Sequence, residues 1–305
     1  MPDFSPTEYA VPGFVALVLI EMIWAWRKRP EAYEPKDTFT SLAFGLGSTV
    51  SGLLFGGAFF ALFLWVWEFR LFDIPWTWWA FALAFVLDDL KYYWVHRFGH
   101  RVRWFWASHV NHHSSQHYNL STALRQTWTG YLTLGFAFAL PLVLLGFHPA
   151  MIAICAGFNL IYQFWIHTEA IDKMPRWFEA VMNTPSHHRV HHATNPRYLD
   201  RNYAGVFIVW DKMFGTFVPE LDEDKPVYGI VKPVGSYNPF TVAFHEFFAL
   251  MRDCASDGLR PDKWFGRMIN APGWSPDGHH NRSVELKQAY VDAHPDEAGS
   301  PGLPG

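Results

Sequence analysis

The chain has almost no cysteine: two residues in 305, and Cys155 sits inside an apolar run. That excludes a disulfide-stapled secreted module and a thiolate metal site. Neither sign of charge dominates. Twenty-four Lys and Arg stand against 28 Asp and Glu, for a net charge of −4, which leaves no electrostatic footprint for nucleic acid. Carboxylates are not grouped as a calcium or magnesium site requires. Gly45-Leu46-Gly47 is followed by no third glycine at the dinucleotide spacing, and no haem-attachment motif is visible. Met1-Pro2-Asp3-Phe4 lacks the positive leader of a cleaved signal peptide. The most informative absence is of charge itself. Thr38–Trp67 and Gln126–Thr168, 30 and 43 residues long, contain no Asp, Glu, Lys or Arg, although such residues make up 17% of the chain. An ordinary soluble globule does not segregate its charge in this way.

What is abundant is Phe (28), Trp (16) and His (16). Tyr9–Trp26 is apolar apart from Glu21 and ends at Arg27-Lys28-Arg29, so it reads as a first membrane helix. Thr38–Trp67 is long enough to cross a bilayer with tilt, and its glycines suit close helix packing in lipid. After Pro75 a third helix is expected from Trp76 to about His100. At 1.5 Å per residue it spans roughly 37 Å, more than a hydrocarbon core of about 30 Å, so its far end projects into water. Thr127–Phe147 and Pro149–Ile166 read as an apolar hairpin broken at Gly146-Phe147-His148-Pro149. From Pro276 onward the composition predicts a disordered polar tail. The expected fold is an all-α integral membrane bundle of four to five membrane or hairpin helices with a histidine-rich helical cap. Residues 1–37 form an N-terminal helix and basic linker, 38–275 a membrane catalytic domain, and 276–305 the tail. Basic residues cluster at alternate ends of the spans (Arg27 to Arg29; Arg97, Arg101, Arg103 and Arg125; Lys173, Arg176 and Arg189), which puts those ends in the cytoplasm.

Every histidine cluster falls on that side. His96 and His100 form an H-x-x-x-H at the projecting helix end. His109, His112 and His113 form the second cluster, and His187, His188, His191 and His192 the third. Spacings of three and four stack imidazoles on one helix face, as a metal clip requires. His167 stands alone at the end of an apolar segment. A lone pair of surface histidines means little, but three tight groups at membrane ends on one side point to metal. Nine or ten imidazoles exceed the four ligands of one tetrahedral zinc and suffice for two ions with positions left open. Imidazole suits iron, copper, nickel and zinc alike. Asp89, seven residues before His96 on the same helix, is a candidate to hold an imidazole N–H and fix its tautomer. Its alternative role is an ion pair with Lys91.

The three boxes resemble the fatty acid hydroxylase / sterol desaturase superfamily, and further segments are similar to its alkylglycerol monooxygenase branch. These are Asp89 with Tyr92-Tyr93-Trp94 before His96, Asn119 to Arg125, Gln163 to Glu169, Asn183 to His192, Asn202-Tyr203-Ala204-Gly205 and Trp210 to Phe217. A weaker likeness runs through Val227-Tyr228-Gly229, and the whole covers roughly Phe39–Trp274. The resemblance implies two iron ions held by His96, His100, His109, His112, His113, His188, His191 and His192, with His187 and His167 as additions. It implies an O2-dependent hydroxylase acting on an unactivated C–H bond of a lipid: an alkyl ether, a fatty acyl chain or a sterol. Electrons then come from an external reductase chain or a reduced pterin such as tetrahydrobiopterin. Tyr118, Asn119, Arg125, Asn202 and Tyr203 are candidate polar groups around a headgroup or donor. A sterol-type desaturase would use the same metals. A metal transporter would want histidines along its spans, and a zinc hydrolase would need fewer ligands.

Overall fold

The computed structural model describes residues 6–305. The acidic opening Met1–Phe4 lies outside them. Among the described residues the chain is all helical, with two isolated bridges (Met182 with Phe207, Ala193 with Tyr228) and no strand. The helices are α1 (Pro6–Lys28), α2 (Pro35–Trp67), α3 (Trp78–Arg101), α4 (Arg103–His113), α5 (Leu140–Leu145), α6 (Pro149–Trp165), α7 (Arg176–Glu179), α8 (Pro185–His191), α9 (Val209–Met213), α10 (Pro239–Ser256), α11 (Pro261–Ile269) and α12 (Ser283–Ala293).

Two helices, α1 and α2, are long and apolar enough to cross a membrane. Their side chains are largely bare: Leu53 is 80% exposed and Leu46 69%. An apolar surface of that extent belongs against hydrocarbon, not water. Four to five membrane or hairpin helices were expected; α3 and α6 pack beside these two, and Thr127–Ala139 departs from a continuous helix. This stretch turns and passes through a short 3-10 segment, with only Leu140–Leu145 α-helical. Trp128 explains part of the break. Its indole lies across Gly47 of α2 and donates to the Phe44 carbonyl at 3.0 Å, and a Cβ on Gly47 would sit 2.1 Å from the indole nitrogen. The aromatic ring is spent anchoring the segment to α2.

Behind the spans, α3, α5 and α6 share a core of Ala80, Ala84, Leu142, Val143, Phe147, Met151, Ile152 and Cys155. The alanines of α3 allow close helix approach, as small residues do between helices in lipid. α3 runs 24 residues, about 36 Å, so its last turns reach beyond that core. There the chain breaks at Val102 and restarts as α4, which Arg103 ties to α10 through Glu246 (2.8 Å) and Asp253 (2.6 Å).

The segment from Pro276, expected to be disordered, forms α12 and then turns back through Pro295–Glu297. Its Lys287 donates to the Arg197 carbonyl, its Gly302 carbonyl accepts from Arg201, and Glu297 pairs with Arg197. Composition alone did not reveal that a folded loop was waiting to receive it.

Candidate metal centre

Each histidine box is positioned by the end of a helix. α3 delivers His96 and His100, α4 delivers His109, His112 and His113, and α8 with its C-cap delivers His188, His191 and His192. His167 follows the C-cap of α6. Their rings converge in two groups. The first holds one nitrogen each from His96, His100, His109, His113 and His191, and the second from His112, His167, His188 and His192. Within each group the ligand atoms all lie within 4.8 Å of one another. Metal–nitrogen bonds of about 2.0–2.1 Å put neighbouring ligand atoms roughly 3 Å apart and opposite ones roughly 4.2 Å apart. The closest separations here match the smaller figure: His109 Nε2 to His113 Nε2 3.1 Å, His112 to His167 3.2 Å, His167 to His188 3.0 Å and His188 to His192 3.2 Å. The groups adjoin, with the rings of His113 and His192 stacked 4.4 Å apart.

The hydrogen bonds around the rings test whether a cation fits. A carbonyl only accepts, so a ring nitrogen facing one must carry the proton. His96 Nδ1 donates to the Tyr203 carbonyl (2.7 Å), His191 to Arg201 (2.9 Å), His167 to Gln163 (2.7 Å) and His112 to Arg125 (3.3 Å). Their Nε2 atoms are therefore bare lone pairs. In the first group Nε2 of His96, His100 and His191 is buried with no hydrogen-bond partner. In the second, the bare Nε2 atoms of His112 and His167 face each other at 3.2 Å. Each buried acceptor left without a donor costs about 1–3 kcal/mol. A metal cation in each group would satisfy these acceptors. Burial, reinforced by neighbouring rings, pushes His96, His109, His112, His113, His188, His191 and His192 well below the usual imidazole value. Burial brings His167 to about 4. These eight rings favour the neutral form, as ligation requires.

Of the ten histidines expected as ligands, nine enter the two groups. His187 does not; its ring packs edge-on against Phe217. Asp89 also differs from expectation and touches no imidazole. Its carboxylate accepts from Val206 N (2.8 Å), Phe207 N (2.9 Å), Trp210 Nε1 (2.8 Å) and Asn159 Nδ2 (2.9 Å), fixing the loop that carries Tyr203. The partner of Lys91 is Asp88, at 2.5 Å. Of the five polar candidates, four are internal fasteners. Tyr118 donates to Ile166 O, Asn119 to Ala32 O, Arg125 pairs with Asp37 at 2.7 Å, and Asn202 bonds His187 O and Val218. The hydroxyl of Tyr203, beside the first group, has no partner. Reading the sequence missed the carbonyls of Arg125, Gln163, Arg201 and Tyr203, because any residue supplies a carbonyl. It also missed Asp200, whose carboxylate lies 3.7 Å from His100 Nδ1.

Residues 81–216, which contain all nine grouped histidines, match the family profile "Fatty acid hydroxylase". Alkylglycerol monooxygenase from Homo sapiens is 41% identical over 282 residues, covering 90% of this chain and 61% of that protein. The Danio rerio alkylglycerol monooxygenase is 40% identical over 274 residues, 88% of this chain and 59% of its own length. Methylsterol monooxygenase 1 of Rattus norvegicus is 28% identical over 224 residues, 69% and 72% of the two chains. The chain thus spans about three fifths of the length of the alkylglycerol monooxygenases it matches. No solved structure matches it. With its three histidine boxes inside the matched stretch, residues 81–216 carry a fatty acid hydroxylase domain.

Proposed function

We propose that this protein is a multi-pass membrane oxygenase that hydroxylates an unactivated C–H bond of a lipid with O2, using two iron ions held by the two imidazole groups on the cytoplasmic side. The observation that carries the reading is the convergence of buried Nε2 lone pairs, unpartnered on His96, His100 and His191 and turned toward each other on His112 and His167, which a cation in each group would satisfy. An all-imidazole set suits iron, which is also what the resemblance of the three histidine boxes implies. When bound, such ions supply the activation of O2 that C–H oxidation needs. The chain's own part is narrower. Backbone carbonyls fix the tautomer and aim of His96, His112, His167 and His191. Burial favours the neutral form of His96, His188, His191 and His192.

α1 and α2, with their bare apolar faces, keep the centre beside a leaflet that contains the substrate. An alkyl ether lipid is the first substrate to try, given the alkylglycerol monooxygenases, with fatty acyl and sterol lipids beside it. Hydroxylation next to an ether oxygen yields a hemiacetal that separates into an aldehyde and an alcohol. The electrons come from a reductase chain or a reduced pterin such as tetrahydrobiopterin. A desaturase would use the same centre and differ in product. A metal transporter is disfavoured because α1 and α2 contain no histidine.

The test is the purified chain in detergent, assayed for iron and incubated with each lipid class with and without O2. Two irons per chain and O2-dependent consumption of one lipid class are expected. His112→Ala and His188→Ala should abolish turnover while the chain still inserts. Iron-free or O2-independent activity would overturn the reading.

A further inference from the structure

The two groups are not supported alike. The first takes its outer hydrogen bonds from a single loop, residues 200–203: Arg201 O holds His191, Tyr203 O holds His96, and the Asp200 carboxylate faces His100. The second is held from elsewhere, by Arg125 O and Gln163 O. The loop is a strained piece of chain. Asp200 and Asn202 both adopt the left-handed region (φ 55° and 56°), which Asp and Asn tolerate better than most residues but which still costs free energy. Something must hold it in place.

Part of the restraint comes from the far end of the chain. Ser283, the first residue of α12, donates its hydroxyl to Asp200 Oδ2, which also accepts from Arg101 at 3.1 Å. Gly302 O accepts from Arg201 (3.2 Å) and from Lys287 Nζ (3.0 Å). Gly302 sits so close to the loop that a Cβ would lie 2.2 Å from Arg197 O, and its φ of 87° already favours glycine. Arg197 itself pairs with Glu297. Four contacts from one segment thus converge on residues 197–201. None of these contacts reaches Arg125, Gln163 or any histidine of the second group.

We infer that the Ser283–Gly302 segment is a brace for the five-histidine position alone, with Asp200 as the positioning residue through which it acts on His100. The inference rests on the two-metal reading above. Residues outside the direct ligand set that orient it alter metal affinity by about 10–100-fold when lost. Loosening the brace therefore weakens one ion and spares the other.

The experiment uses the full chain in detergent, loaded anaerobically with ferrous iron and challenged with increasing chelator. Ser283→Ala removes one hydroxyl and is the mild variant, while Gly302→Val tests the close approach. Each is expected to release one of two irons at about 10–100-fold lower chelator, with half of the Mössbauer signal altered and helicity unchanged. Site assignment comes from combination. With His188→Ala disabling the four-histidine group, Ser283→Ala should weaken the remaining iron. With His109→Ala disabling the other group, it should not. If the unaltered chain binds two irons and Ser283→Ala loosens both equally or neither, the brace is wrong and the two-metal reading stands. If the unaltered chain never binds two, both fall.

Discussion

Asp89 gathers four donors on one buried carboxylate, and every one of them belongs to a segment that shapes the metal centre from behind. Gly205 shows how tight the arrangement is: a Cβ there would lie 2.8 Å from Asp89 Oδ1 and 2.7 Å from Asn159 Oδ1. Asp89→Ala strands two backbone N–H groups, an indole and an amide, each at about 1–3 kcal/mol. The variant should lose about 3 kcal/mol or more of stability, visible as a lowered Tm, and hold less iron because the Tyr203 carbonyl drifts from His96. An Asp89→Ala chain with unchanged Tm and iron content would contradict this account. Reading along the helix picked out Asp89 as a residue of interest but misassigned its contact. Position seven before His96 says which face the carboxylate is on, whereas the loop filling that space comes from more than a hundred residues downstream.

At the scale of elements, the local spacing of histidines was a sound guide. Within the boxes, three of the four pairs spaced by four each fall in one group (His96 with His100, His109 with His113, His188 with His192), while His187 does not join His191. The tail was misread because its composition is polar and its partner distant. Lys287 of α12 makes its docking pH-sensitive. Burial, then the neighbouring Arg201, lowers its ammonium from 10.5 to about 7, against the opposing pull of Asp200. The docked segment prefers the neutral amine, while the undocked chain keeps the proton up to about 10.4. Undocked chain therefore binds more protons between about pH 7 and 10, so docking strengthens as pH rises through that window and is weakest at or below 7. Lys287→Met should remove this dependence and protect residues 276–305 from proteolysis better than the unaltered chain at pH 7. The gap between the two should close by pH 9 to 10. A constant gap across that range would refute it.

At the scale of the molecule, the arrangement is a lipid-facing base and a polar cap. Leu53 lies near the middle of α2 with its side chain 80% exposed. In water a charge at such a position is nearly neutral in energy, but at the centre of a membrane helix arginine costs about 2.5–3.5 kcal/mol. Leu53→Arg should thus reduce the fraction of chain retained in membranes after alkaline carbonate extraction. Unchanged retention would mean that α2 does not sit in lipid. The cap depends on buried ion pairs that bring remote segments together: Arg125 with Asp37, and Arg189 with Glu220 at 2.7 Å. Those pairs join residues 88 and 31 positions apart, beyond the reach of the roughly 11–18-residue windows in which periodicity is read.

The sequence by itself determined the class of the molecule: long charge-free runs suited to lipid, and three imidazole clusters spaced to bind a cation. Periodicity carried this, because helical spacing and bilayer thickness are local and fixed. Only the tertiary structure decided how the imidazoles divide. His112 and His113 are neighbours yet serve different positions, as do His191 and His192, because successive residues on a helix point about 100° apart. His187 is left out while His191, one turn on, is included. Which ring meets which partner depends on where four separate chain segments cross, and on carbonyls that any residue could have supplied.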